Sequence, residues 1–341
     1  MAGTKRILIV TDTKDLTDKL LLCGVRKQVK GFIRLGYDAQ VFSYNKAFLL
    51  SRPFRSKKFA GRFCKARVDE LLARQIKNYE PDIILTSFAK YLDAQTIKIM
   101  RQAAAGAAFV GIDVDLWPEL HKNRVAAAAQ LDFILTTYNG YGLQAYKDVG
   151  IRCVFMPNMC DPDIEYRYPV GRKWQSDILF TGKMKHKKYP TEEVRYQIIS
   201  TLSRMKNCSL YGCCGQAFIG GIQYLYAISG SKVALSINAV NDIRFYHSDR
   251  LTQYLACGTF VLAKKVPDSD LLFKDGVHLR YFDTAKEFFY LARWYLDHDD
   301  ERKKIADEGM RYTHEEYNCK KIAQYVMDVV QTGAYKAPWN P

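Results

Sequence analysis

Short apolar runs alternate with longer amphipathic stretches along the first half of the chain. Six runs, each bounded by polar residues or glycine, predict strands: KRILIV, AQVFSY, PDIILTS, AAFVGID, LDFILTT and IRCVFMP. Segments with helical periodicity lie between several of them, for example Leu20 to Leu35 and Asp93 to Ala105. Continuous apolar strands joined by helices are typical of a parallel sheet with helices on both faces. The first half is therefore predicted to be a doubly wound α/β domain.

The alternation lapses in the middle of the chain and then resumes. Residues 157–173 are mostly polar, contain three prolines and predict a linker. Five further strands are predicted beyond it, at SDILFTG, CSLYG, VALSIN, VLA and HLRYF. The predicted fold class is thus two Rossmann-like doubly wound domains that face a cleft, spanning residues 1–165 and 172–315. Residues 316–341 are expected to contain a helix that packs back on the first domain.

The composition narrows the function classes without choosing among them. Lys and Arg outnumber Asp and Glu by 51 to 36, a formal charge of +15, so the chain is expected to bind polyanions. No stretch approaches the ~18 uninterrupted apolar residues of a membrane span. The nine cysteines have no paired CxxC spacing, which favours a reducing compartment and no zinc site. A cytoplasmic location without a zinc site is therefore expected, and no cofactor is predicted.

A basic loop follows the first strand of the second half. It reads TGKMKHKK, in which Gly182 lets the backbone approach a phosphate while Lys183 and Lys188 supply positive charge. The helix predicted next adds its positive end. The loop therefore predicts a diphosphate site, and a solvated basic turn is the alternative.

The stretch SDRLTQYLACGTF predicts a helix with a polar face near its start. Ser248 or Asp249 can cap this helix, and Arg250 and Gln253 share a face because they lie three residues apart. Arginine can bind phosphate with two parallel hydrogen bonds, and glutamine can bond sugar hydroxyls. The alternative is that Arg250 forms an ion pair with Asp249 or Asp242.

In the first half, the polar cluster GIDVDLWPELHKNR follows a predicted buried strand. Asp113 and Asp115 lie where that strand ends, at the edge of a parallel sheet that usually binds ligands. A carboxylate there could deprotonate an acceptor hydroxyl if the reaction inverts the sugar, or orient the sugar if it does not. Both residues could instead only form the turn after the strand.

The segment SRPFRSKKFAGRFCKAR, residues 51–67, interleaves cations with phenylalanines and contains no acid. Such a mixture suits an anionic membrane surface, and it would also suit nucleic-acid phosphates and bases. The alternative is that the phenylalanines are core residues and the cations are merely solvated. The basic patch is defined by five of its residues: Arg55, Lys57, Lys58, Arg62 and Lys65.

Several motifs of the second half occur in an order that is specific to one family. The segments ILFTGK, SLYG, VALSIN, SDRLTQYLACGTFVLA and DGVHLRYF, followed by a helical tail, resemble the donor-binding domain of GT-B glycosyltransferases. More specifically, they resemble the group 1 branch that includes spore-maturation-type proteins, over about residues 177–330. The resemblance implies that Gly182, Lys183 and Arg250 approach the diphosphate of a nucleotide sugar. It also implies that four further residues lie near the nucleotide: Tyr211, Gly212, Gly258 and Thr259.

One position departs from the family pattern. Where many relatives carry a glutamate that holds the donor ribose, this chain has Gln253. Glutamine can still bond hydroxyls, but it lacks the charge that makes carboxylate hydrogen bonds strong. The departure puts the identity of the donor, and catalysis itself, in question.

The resemblance implies a glycosyltransferase that moves a hexosyl or pentosyl unit from a nucleotide-diphosphate sugar to a glycan, polysaccharide or lipid-linked acceptor. Lys183 and Arg250 would offset the charge of the leaving diphosphate without a metal, and Asp113 or Asp115 would act on the acceptor. The basic patch adds the inner face of a membrane as an expected place of peripheral attachment. Two alternatives stay open, a DNA-modifying glycosyltransferase and a non-catalytic module that binds a nucleotide sugar or a membrane surface.

Overall fold

The computed structural model describes residues 5–12, 22–51, 60–87, 92–116, 120–184 and 192–340, with the backbone alone at 60–63. The chain divides into two compact units. The first comprises residues 1–156 and 323–334, and the second comprises residues 157–322 and 335–341. The predicted domain limits at residues 165, 172 and 315 stay a prediction.

The first unit contains a six-stranded parallel sheet, as the alternating pattern predicts. Its strands stand in the order β2-β1-β3-β4-β5-β6. Ile7, Leu8 and Val10 of β1 are fully buried, because a central parallel strand is covered by helices on both faces. The strands are β1 (Arg6–Thr11), β2 (Asp38–Ser43), β3 (Ile83–Ser87), β4 (Ala108–Asp113), β5 (Phe133–Thr136) and β6 (Cys153–Phe155).

Six helices accompany this sheet: α1 (Gly24–Arg34), α2 (Tyr44–Leu50), α3 (Ala60–Tyr79), α4 (Ala94–Ala103), α5 (Lys122–Ala128) and α6 (Gln144–Lys147). Two of them, α2 and α5, have no counterpart among the predicted elements, because each is only seven residues long and shows too little periodicity. Helix α3 begins at Ala60, inside the basic segment of residues 51–67. Residues 60–67 of the basic segment are therefore helical.

The second unit contains a five-stranded parallel sheet with the order β11-β10-β9-β7-β8. The strands are β7 (Ser176–Thr181), β8 (Cys208–Tyr211), β9 (Ser231–Ser236), β10 (Phe260–Lys264) and β11 (Arg280–Phe282). All five were predicted from the sequence. Their carboxyl ends lie at one edge of the sheet, which is where ligands bind in doubly wound folds.

The remaining helices are α7 (Glu193–Leu202), α8 (Gly221–Ser229), α9 (Asp249–Ala256), α10 (Ser269–Leu272), α11 (Ala285–Asp297), α12 (Asp299–Glu316) and α13 (Cys319–Thr332). The aromatic helix α11 buries Phe288, Leu291 and Tyr295 at helical spacing, as expected for a core-facing stripe. No helix in the described ranges is long and apolar enough to cross a membrane.

Candidate functional site

Three strand ends of the second unit converge on the loop that follows β7. The neighbours of β7 in the sheet are β8 and β9, so the turns after Thr181, Tyr211 and Ser236 lie side by side. The main-chain N–H of Gly182 donates to the carbonyl oxygen of Tyr211 at 2.8 Å. This bond joins two of the three turns directly and brings together Gly182, Lys183, Tyr211 and Gly212, as predicted.

Arg250 lies in the first turn of α9 and reaches across this edge of the sheet. Its Nη1 donates to the carbonyl oxygen of Thr181, its Nη2 donates to that of Ile237 at 2.9 Å, and its guanidinium lies 5.2 Å from the ring centre of Phe180. Among the described residues Arg250 forms no ion pair, so the alternative pairing with Asp249 or Asp242 is not found. The guanidinium is instead fixed by neutral carbonyls.

Gly182 makes room for that guanidinium. Its φ of +140° is one that residues with a side chain rarely adopt, and a Cβ at this position would collide with Nη1 of Arg250. The glycine of the basic loop and the arginine of α9 are therefore in direct contact. This is the arrangement that a shared diphosphate would need.

A second arginine, which the sequence analysis did not single out, lies beside the first. Arg195, in the first turn of α7, is only 5% exposed, and its guanidinium also lies 5.2 Å from the ring centre of Phe180. Its Nη1 donates to Ile237, the same carbonyl that Arg250 uses. Burial, and next the nearby charge of Arg250, lower the pKa of Arg195 to about 9.

The two arginines carry positive charge that no carboxylate of the described chain offsets by an ion pair. Burying an ion without a counterion costs several kcal/mol, on the order of 3–5. Each cation also lies in the first turn of a helix, where the helix dipole favours negative charge. An anion bound at this edge would relieve both costs, so the site is suited to a diphosphate.

The residues at the start of α9 are placed differently from one another. Ser248 precedes the helix, and its N–H donates to the side-chain oxygen of Asn238 at 3.0 Å, but its hydroxyl makes no capping bond and is buried without a partner in the described chain. Asp249 is exposed and accepts from the amide of Gln253 at 3.2 Å. The carbonyl oxygen of Gln253 accepts from the Tyr224 hydroxyl at 2.8 Å. Gln253 is thus only 5% exposed, and its amide is engaged by its neighbours.

Gly258 and Thr259 do not lie with this group. They follow α9 and precede β10, whose first residue Phe260 is level with Val233 of β9. The helix has carried the chain to the other edge of the sheet, about 16 Å along the strands from Ile237. There the Gly258 carbonyl accepts from Arg167 at 2.7 Å, and the Thr259 hydroxyl donates to Ile228 at 2.7 Å. The structure therefore does not bring them together with Gly182 and Arg250, and their expected position near the nucleotide stays a prediction.

The cations of the basic loop are only partly described. Lys183 is exposed, and its carbonyl oxygen accepts from Arg195 Nη2 at 2.5 Å. Lys188 lies outside the described residues. The candidate site of the second unit therefore consists of Gly182, Lys183, Tyr211, Gly212, Ser248, Asp249 and Arg250, with Arg195 added.

In the first unit, Asp113 ends β4 and is 1% exposed. Its carboxylate accepts from Nε of Arg124 at 3.1 Å, from Nη2 of Arg124, and from the Tyr146 hydroxyl at 2.7 Å. Burial raises the pKa of Asp113, while Arg124 and Tyr146 oppose that effect. Asp113 is therefore engaged in a buried ion pair, whereas Asp115 is exposed. The predicted proton-transfer role fits the environment of Asp115 better.

Most of the basic patch lies outside the described residues. This is true of Arg55, Lys57 and Lys58, and of the side chain of Arg62. Lys65 is described, and its ammonium lies 2.8 Å from Asp69 and 3.3 Å from Asp93. The charge of Lys65 is thus offset within the first unit, and the proposed membrane role of the patch stays a prediction.

Comparison with known proteins concerns the second unit and the fold of the whole chain. Residues 179–328 match a protein-family model described as glycosyl transferase-like. A glycosyltransferase of Rickettsia africae has 11% identity and a TM-score of 0.64, over 96% of this chain and 98% of that one. The fold is GT-B. Sucrose-phosphate synthase of Thermosynechococcus elongatus has 12% identity and a TM-score of 0.63, again over 96% of this chain and 98% of that one.

A third solved structure, Anabaena HepE in complex with UDP-glucose, is 12% identical with a TM-score of 0.60, over 96% of this chain and 99% of that one. No curated protein matches the chain in sequence. At such low identities these likenesses show the fold alone. The prediction of two parallel-sheet α/β units with the GT-B fold is confirmed, and the spore-maturation-type branch stays a prediction.

Arg195 left a signal in the sequence that could have revealed it. Positions 195, 198, 199 and 202 form the buried stripe of α7, and the other three are Ile198, Ile199 and Leu202. An arginine on an apolar stripe, in the first turn of the helix after the basic loop, is an exception to helical patterning. Such an exception indicates a buried polar network at that end of the helix.

Proposed function

We propose that this protein is a GT-B glycosyltransferase that moves a hexosyl or pentosyl unit from a nucleotide-diphosphate sugar to a glycan, polysaccharide or lipid-linked acceptor. The proposal rests first on one observation. Arg195 and Arg250 lie together beside Gly182 at the carboxyl ends of β7 and β9, without a carboxylate partner among the described residues. The family match over residues 179–328, and a similar fold that holds UDP-glucose, support it.

In this reaction the bond between the anomeric carbon and the diphosphate oxygen of the donor breaks, and an acceptor hydroxyl forms the new bond. The electron pair leaves on the nucleoside diphosphate, whose growing negative charge needs compensation. Arg250, Lys183 and main-chain N–H groups of the loop after β7 can supply it, and so we propose a metal-independent transfer with no cofactor. The proton of the acceptor hydroxyl would pass to a base, for which Asp115 is our candidate.

The acceptor and the location of the protein are proposed from the sequence. The basic patch of residues 55–65 supports peripheral attachment to the inner face of a membrane, with the protein otherwise cytoplasmic. Its net charge of +15 keeps DNA as an alternative acceptor. Binding to DNA would weaken steeply with salt, so a filter-binding titration between about 50 and 200 mM salt tests that alternative. If DNA is the acceptor, we expect the affinity for DNA to fall on the order of 10³-fold over this range.

A thermal-shift screen of nucleotide sugars, including UDP-glucose, tests the proposed function directly. A ligand at about 100 times its Kd should stabilise the folded state by about 2.7 kcal/mol. Release of free sugar or nucleoside diphosphate from the best ligand then separates an enzyme from a binding module. If no nucleotide sugar shifts the unfolding temperature, the proposal fails, and if one binds without any hydrolysis or transfer, the non-catalytic alternative is supported.

A further inference from the structure

Arg195 ties together two turns of the candidate site through their main-chain carbonyls. Its Nη2 donates to Lys183 at 2.5 Å and its Nε to Met184 at 3.3 Å, both in the loop after β7. Its Nη1 donates to Ile237 and, at 3.1 Å, to Asn238, both in the turn after β9. Because β7 and β9 are neighbours in the sheet, one side chain fixes the relative position of both turns.

The capture of the Lys183 carbonyl sets the direction of the next amide. In a trans peptide unit the C=O of one residue and the N–H of the following residue point in opposite directions, and the described chain has no cis peptide. Since the Lys183 carbonyl points at Arg195, the N–H of Met184 points away from it. Within the described ranges, neither the Lys183 nor the Met184 N–H has a hydrogen-bond acceptor from the protein. Main-chain donors of this kind are normally satisfied by water or a ligand.

We propose that Arg195 is a positioning residue for the diphosphate of the donor: it orients the loop of residues 182–184 so that the Met184 N–H points at the anion. Arg195 acts through this loop and does not itself touch the phosphate. The inference rests on the proposed function, because it assumes that an anion binds beside Gly182 and Arg250. It adds a residue from α7 to a site otherwise formed by the loop after β7 and the start of α9.

The charge of Arg195 supports this role over that of a simple structural link. A neutral side chain of similar size would avoid the cost of burying a cation beside Arg250 in the first turn of a helix. An arginine has five N–H donors in a rigid planar array, and here they reach four carbonyls from two turns. Its charge then adds a long-range attraction for the anion that the amides bind. The hydrogen bonds hold the two turns with or without a ligand, whereas the positive charge is useful to the site only when an anion is bound.

The test compares Arg195→Lys with Arg204→Lys, which makes the same change at an exposed arginine just beyond α7. Lysine keeps the charge but cannot reach four carbonyls. We expect Arg195→Lys to weaken binding of UDP and of inorganic pyrophosphate about tenfold by calorimetry, the loss of one charge-assisted hydrogen bond. The affinity for uridine, which has no phosphate, is measured by competition and should change less than about twofold in Arg195→Lys. The control Arg204→Lys should bind all three ligands as the wild type does.

Met184→Pro provides a second variant in case Arg195→Lys folds poorly. It removes the proposed N–H donor and leaves Arg195 intact. The affinities for UDP and for pyrophosphate should therefore fall by a factor similar to that expected for Arg195→Lys. Unchanged pyrophosphate affinity in both variants, beside a wild type that binds it, would overturn this inference and leave the proposed function standing. Equal losses for UDP and uridine would also overturn it, because they indicate general distortion. A wild type that binds neither UDP nor pyrophosphate would overturn both proposals together.

Discussion

Each of the two sheets has buried or half-buried arginine at its carboxyl edge, but the partners differ. In the first unit Arg124 meets the carboxylate of Asp113 and the hydroxyl of Tyr146. In the second unit the hydrogen-bond acceptors of Arg195 and Arg250 within the described residues are main-chain carbonyls, and both guanidinium groups lie near the ring of Phe180. The first arrangement is neutral in itself. The second keeps two positive charges that a ligand can use.

The difference separates a structural ion pair from a candidate binding site. A carboxylate that neutralises its arginine lowers the demand of the site for any further anion. Carbonyl oxygens orient a guanidinium without cancelling its charge. Removing a partner in the first unit should therefore reduce stability, whereas removing an arginine in the second should chiefly reduce binding.

The largest effect is expected from Asp113→Asn. The change leaves Arg124 buried beside a neutral amide, and it should lower the free energy of unfolding by about 3–5 kcal/mol in a urea titration. Glu80→Gln, which breaks the exposed pair with Arg6 at 3.2 Å, should cost less than about 1 kcal/mol. Equal costs for the two variants would show that the Asp113 pair is no more than a surface contact.

Acid should destabilise the second unit through a buried histidine. The Nδ1 of His247 lies 3.0 Å from the Phe245 carbonyl, and burial lowers the pKa of His247 to about 4. Its stabilising contribution is thus complete above pH 6.5 and is lost as the pH falls through 4, a difference of about 3 kcal/mol. Unfolding measured from pH 7 to 4 should show this loss, and His247→Phe should flatten the curve. An unchanged slope in the variant would exclude His247 as the cause.

Arg250→Ala should reduce binding more than stability. Because the change removes a charged hydrogen-bond donor at the diphosphate, the affinity for UDP measured by calorimetry should fall about 100-fold. Removing a cation that has no carboxylate partner in the described chain should cost less than about 1 kcal/mol of unfolding free energy. Arg244→Ala, at an exposed ion pair with Asp268, is the matched control and should bind UDP normally. Wild-type affinity in Arg250→Ala would remove this arginine from the site.

The smallest effect is expected from Gln253→Glu. The change places a second carboxylate beside Asp249, whose oxygen lies 3.2 Å from the Gln253 amide nitrogen. It should lower the free energy of unfolding by about 1 kcal/mol, while the affinity for UDP changes less than about threefold. The Asp249→Asn/Gln253→Glu double variant restores a donor at residue 249 and should recover the stability. Complete loss of UDP binding in the single variant would place Gln253 in contact with the donor.

The sequence predicted the fold more fully than the site. All eleven strands of the described residues were predicted, because most of them are apolar runs bounded by polar residues or glycine, and the central ones are buried on both faces. The sequence placed Gly182 and Arg250 together because each follows a strand at the same edge of one sheet. It did not reveal that Gly258 lies at the opposite edge of the sheet from Gly182, because a motif does not show how far the helix within it carries the chain. It missed Arg195 because an isolated charge on an apolar helix face indicates burial without naming the partner.

The carbonyl oxygen of Ile237 links the two arginines of the second unit. It accepts a hydrogen bond from Arg195 and another from Arg250, so that both lone pairs of this oxygen are used. The two residues should therefore behave as one energetic unit. Replacing either arginine changes the contacts of the Ile237 carbonyl, which helps to orient the other guanidinium. In a double-mutant cycle, the loss of anion-binding free energy in the double variant should therefore be smaller than the sum of the two single losses.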